Sequence, residues 1–185
     1  MPRFIPRRPL AAPACAGLSA LLVLAGCASD DTPARLVCPP ATIPAESAQL
    51  VAFQGGGRDL TDVRYDLQVT DVALTCALER DDDERTLETE LGVRFTAEKG
   101  PANRGDVATG RYYVAVVGPD GDVLSRRSFE LEIELPGNQT RVATAQYLSP
   151  TIPLAQGAAT DAYTIYVGLV LSPEQLRFNR ANLGE

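Results

Sequence analysis

The chain has 185 residues, with 24 acidic against 17 basic side chains, a formal net charge of −7 and no histidine. An acidic surface repels phosphate backbones, so nucleic-acid partners are not expected. Ser-His-Asp catalysis, Cys-His catalysis and histidine-based metal sites are excluded, and no cofactor is expected. The chain opens with a basic segment holding Arg3, Arg7 and Arg8, followed by an uncharged stretch from Leu10 to Ala25. That is the layout of a secretory signal peptide over residues 1–26. The stretch is short and rich in Ala, Gly and Pro, a poor match for a membrane span of about 20 apolar residues.

The end of this segment, Leu24-Ala25-Gly26-Cys27, resembles the lipobox of bacterial lipoproteins. The resemblance implies cleavage before Cys27, acylation of its thiol and acylation of the new N-terminus. Several acyl chains give stable attachment, where one gives only marginal binding. In enterobacterial lipoproteins an Asp after the cysteine favours inner-membrane retention. Ala28 therefore implies an envelope lipoprotein of the outer membrane, facing the periplasm. Removing the signal takes away three arginines and no acid, which moves the net charge from −7 to −10. Of the four cysteines, Cys15 leaves with the signal and Cys27 takes lipid. Cys38 and Cys76 remain in an oxidising compartment, where pairing is expected. The bond would close a 38-residue loop, worth about 3–4 kcal/mol.

Residues 27–41 are polar, small and Pro-containing, and read as a lipidated tether; residues 42–185 read as one domain. Within it, apolar residues recur with period two. Val63, Tyr65, Leu67 and Val69 are odd-numbered, whereas Val72, Leu74, Cys76 and Leu78 are even-numbered. The parity switch at Thr70-Asp71 predicts a β-bulge or a break between strands. Arg80 to Arg85 reads as a charged hairpin tip. Leu87, Leu91, Val93 and Phe95 share the face of a further strand, and Lys99 to Gly110 reads as a longer loop. Arg111 to Val117 is apolar on both faces and predicts a central strand. Gly118-Pro119-Asp120-Gly121 predicts a tight hairpin. Phe129, Leu131 and Ile133 then alternate with Glu130, Glu132 and Glu134. Tyr163, Ile165, Val167 and Leu169 form a last apolar row. Ser172-Pro173-Glu174-Gln175 carries an N-cap Ser, Pro at the first helical position and Gln three residues on, predicting a short helix near 173–182.

These elements predict an all-β fold. The expected architecture is an antiparallel β-sandwich of the immunoglobulin or fibronectin III kind with a short C-terminal helix. A small β-barrel is the alternative. Tryptophan is absent, so the usual immunoglobulin core tryptophan is missing.

Further stretches carry a second resemblance. They are Cys38-Pro39, Gly57-Arg58-Asp59-Leu60-Thr61-Asp62, Asp71-Val72 before Cys76, Gly100-Pro101, Tyr113-Val114-Ala115-Val116, Ile152-Pro153-Leu154 and Leu171-Ser172-Pro173-Glu174-Gln175-Leu176. In this order they resemble a family of uncharacterised alphaproteobacterial lipoproteins. The resemblance implies the lipid anchor and the cysteine pair, and no mechanism.

Three stretches are candidates for chemistry. Gly55-Gly56-Gly57-Arg58-Asp59 can form an anion-cradling nest. It lacks the helix and Lys-Ser/Thr of a phosphate loop, so a plain loop with Arg58 paired to Asp59 or Asp62 is the simpler reading. Asp81-Asp82-Asp83-Glu84 holds consecutive acids, unlike the spaced ligands of a calcium loop, and reads as a solvated tip. Glu130, Glu132 and Glu134 share one strand face. They either form a solvated row that guards an edge or a docking face for a basic partner. The favoured functional reading is a non-enzymatic structural or protein-binding module, held at the membrane by lipid and contacting other envelope proteins. A small-molecule or glycan binder is the second reading, and an enzyme using carboxylates the third.

Overall fold

The computed structural model describes residues 36–82 and 84–183; the expected signal peptide, the lipobox and Cys27 lie outside them. In chain order the strands are β1 (Ala41–Thr42), β2 (Gln49–Phe53), β3 (Val63–Asp81), β4 (Glu84–Lys99), β5 (Val107–Val117), β6 (Val123–Glu134), β7 (Arg141–Leu148), β8 (Thr151–Pro153) and β9 (Thr164–Leu169). One helix, α1 (Pro173–Leu183), follows. Two sheets result, with strand orders β1-β9-β5-β6 and β2-β3-β4-β7. The short β8 continues the line of β7 along the same side of β4. The sheets face one another as a sandwich and do not close into a barrel.

The core follows from alternation. Leu87, Leu91, Val93, Phe95 and Ala97 are fully buried on β4, opposite Tyr112, Val114 and Val116 of β5 and Ile165, Val167 and Leu169 of β9. Phe95, Tyr112 and Phe129 stack in series across the gap, with ring centroids 4.8 Å and 5.2 Å apart. The parity switch is a bulge. Val69 pairs with Phe95 and Asp71 with Arg94, leaving Thr70 as the extra residue. Without it Val72, Leu74 and Leu78 would turn to solvent.

Most turns lie where the residues require them. Gly121, at φ +85°, closes the β5–β6 hairpin and donates its N–H to Gly118 O at 3.0 Å. Ser172 and Gln175 form the capping box of α1, with each side chain bonding the other's backbone N–H. The Lys99–Gly110 loop is shorter than expected, because β5 already begins at Val107. Small residues hide that strand start. Ala108 is fully buried, and a Cβ on Gly110 would lie 2.8 Å from Leu67 Cδ1.

The last residues of the expected tether are part of the fold. Cys38 is disulfide-bonded to Cys76 of β3, with Cα atoms 5.8 Å apart, as the cysteine count predicts. Thr160 donates its hydroxyl to Val37 O, and Ile165 N–H bonds Pro40 O at 2.9 Å. β1 then runs parallel to β9.

Candidate functional site

The two sides of the sandwich are finished differently. On one side the edges of β2 and β9 are covered in part, while β3 beyond Val69 has β4 alone beside it. Helix α1 lies along β2, where Phe178 meets Phe53 edge-on at 5.3 Å. Asn179 is buried and donates to Glu46 O at 2.8 Å and to Gln49 O at 2.7 Å. Arg180 pairs with Glu46 at 2.8 Å. The edge of β9 takes β1, and Ser47 lies so close to Gly168 that a Cβ there would sit 2.3 Å from Ser47 Oγ.

The other side is open. β6 ends its sheet and β7 ends the facing one. Edge strands carry unpaired backbone N–H and C=O groups, a template for a further strand. Val123 to Ser128 of β6 are exposed on both faces, Val123 at 62% and Leu124 at 50%. Between the two edges a slot of about 320 Å³ reaches Val114, Val116 and Phe129 of the interior, rimmed by Ser125, Arg127, Leu148 and Pro150. The slot exists because the inward row of β6 changes character. Phe129, Leu131 and Ile133 fill the core, whereas Ser125 and Arg127 cannot.

β6 is divided by charge. Its first half carries Arg126 and Arg127. Its second half carries Glu130, Glu132 and Glu134, all exposed. Arg126 lies over the Tyr113 ring at 4.2 Å from the centroid. Glu130 is cross-strand to Arg111 and bonds it at 2.9 Å. Glu132 faces Thr109 and Glu134 faces Val107. Glu88 and Glu90 sit in the other sheet, so the like-charge opposition that would destabilise a strand pair is avoided.

The Gly55–Asp59 loop serves another purpose. Arg58 pairs with Glu174 of α1, and not with Asp59 or Asp62 as its neighbours in sequence suggest. Its guanidinium also lies 5.1 Å from the Phe53 ring centroid. Asp62 is otherwise engaged: its carboxylate accepts the Asp59 N–H at 3.2 Å and caps its own 3-10 turn. Arg58 thus helps fasten α1 to β2. At the β3–β4 tip Asp81 pairs with Glu84, and Asp82 takes φ +49°. Among the described residues no group of three or more acids or cysteines is arranged to hold a metal ion.

Sequence reasoning missed one half-buried acid. Asp66 lies on the outer face of β3 beside Glu98. Its Oδ2 accepts from Gln49 at 2.6 Å and from Gln68 at 3.0 Å, while Oδ1 is buried without a partner. Burial raises its carboxyl above the ordinary value; the Gln68 and Gln49 bonds oppose this and Glu98 adds to it. It borders a groove of about 600 Å³ beside α1, with Phe53, Leu60 and Phe178 among its walls. No pattern marks it, because an acid at an outward strand position reads as solvated.

Fold and edge together define a class: a two-sheet, mostly antiparallel β-sandwich that presents a naked, charge-divided strand at β6. No protein-family model matches the chain, and no curated protein matches it.

Proposed function

We propose that this chain is a lipid-anchored envelope protein, a non-enzymatic binding module that receives a partner strand along β6. The single observation that carries the reading is the bare twelve-residue edge of β6, exposed throughout its first half and divided into a basic and an acidic half. Strand addition takes its affinity from main-chain hydrogen bonds and its specificity from alternate side chains. The lipobox resemblance at Cys27 and the Cys38–Cys76 bond support an oxidising, membrane-bound setting. The outer membrane, facing the periplasm, is the proposed site.

Two measurements test this. A photo-crosslinking residue at Ser128, on β6, should capture an envelope protein in cells, whereas one at Asp82, on the hairpin tip, should not. Equal capture at both positions would remove β6 as the binding element. Mass spectrometry of the mature N-terminus should find acylated Cys27, and Cys27→Ser should leave an uncleaved or soluble protein. An unacylated terminus at another residue would end the lipoprotein reading.

The second reading, a small-molecule or glycan binder, rests on the groove beside α1, where the partnerless Oδ1 of Asp66 and the neighbouring Glu98 accompany apolar walls. The deciding observation is a ligand protecting α1 from hydrogen exchange.

A further inference from the structure

The two halves of β6 complement one another when the strand is reversed. Its outward row reads Leu124, Arg126, Ser128, Glu130, Glu132, Glu134. Among the described residues no carboxylate forms an ion pair with Arg126, and neither Glu132 nor Glu134 pairs with a cation. A foreign strand would have to match both a basic and an acidic half. A second β6 running antiparallel matches both at once.

We propose that β6 is a self-pairing edge: two copies of this chain join antiparallel along β6 about a two-fold axis at Phe129, so that one sheet runs through both. In this register Arg126 of each copy stands opposite Glu132 of the other, and Ser128 stands opposite Glu130. Glu130 keeps Arg111 as its partner. Leu124 meets the aliphatic stem of Glu134. No two glutamates and no two arginines stand directly opposite, which is the arrangement cross-strand energetics favour. On the inward row Phe129 meets its own copy beside the slot, covering apolar surface that is open in one chain. The contact is isologous and closes, so it yields a dimer and not a filament. The segment Val123 to Ser128 is exposed throughout, as a strand awaiting a neighbour would be.

The inference rests on the reading of β6 as a binding edge and names its occupant. The test uses the full chain extracted in mild detergent, with its mass followed by sedimentation equilibrium in density-matched solvent. The unmodified chain should be in monomer–dimer equilibrium. Arg126→Glu and Glu132→Arg should each weaken the dimer by about tenfold or more, since each replaces two attractions with two repulsions. The double variant Arg126→Glu/Glu132→Arg should restore it. Both positions are exposed, and thermal unfolding of each variant checks the fold independently. A chain that is monomeric throughout, or a dimer untouched by either single change, overturns the proposal. If such a monomer still crosslinks through Ser128 to another envelope protein, self-pairing falls and the binding-edge reading stands. If Ser128 captures nothing, both fall.

Discussion

Tyr112 is fully buried between Phe95 and Phe129, and its hydroxyl has no hydrogen-bond partner. Burial pushes its ionisation further above the ordinary value, so it stays neutral. A buried hydroxyl left unsatisfied costs about 1–3 kcal/mol. Tyr112→Phe keeps both ring contacts and removes that cost. Urea unfolding should show a gain of about 1 kcal/mol, and a loss would mean that the hydroxyl is satisfied in solution. Asp66 offers a signed pH test. Its folded-state ionisation lies above the unfolded value of 3.8, so the folded chain holds the proton more tightly. Its contribution is fully present below 3.8 and is lost as pH rises through the folded value. Asp66→Asn should therefore stabilise the domain at neutral pH, and the advantage should shrink as pH falls towards 4. An advantage that grows on acidification would reverse the sign of the argument. Neither residue was legible as special in the sequence. A tyrosine in an apolar run reads as core, and only the packing shows that nothing reaches its oxygen.

At the scale of elements, β3, β4, β6 and β9 were legible because their period-two rows match what is buried, and the bulge at Thr70 was legible from parity alone. The start of β5 was hidden because Ala108 and Gly110 carry no apolar signal although they occupy core positions. Which strand ends a sheet was not legible, because β5 and β9 pair across 47 residues or more without a local cue. The helix was announced by its cap; what holds it was not. Asn179 supplies the anchor, and its two bonds reach the backbone of Glu46 and of Gln49, 133 and 130 residues away. Asn179→Ala would leave two carbonyls unpaired at the helix seam, at a cost of about 2 kcal/mol. Hydrogen exchange should then rise in α1 and β2 while β4 and β5 keep their protection. Uniform exchange across the domain would argue against a separately anchored helix. Arg58→Ala should cost less than about 1 kcal/mol, as exposed ion pairs do.

For the molecule as a whole, the disulfide joins the segment before β1 to Cys76 in the second half of the longest strand. Reduction should lower stability by about 3–4 kcal/mol. Denaturant midpoints with and without a reducing agent measure this, and coincident curves would mean the bond constrains little of the unfolded chain. The cysteine pair was legible from counting, but its mechanical setting was not. Traction applied from the N-terminal side arrives at Cys38 before it arrives at β1. It passes through sulfur into β3 at Cys76, where β4 pairs with it at Thr89. The two-residue β1 and its pairing with β9 therefore bear no load while the bond is intact. A pull from the N-terminal side leaves the first strand in place while the bond is intact, and only a reduced molecule would unzip from that end.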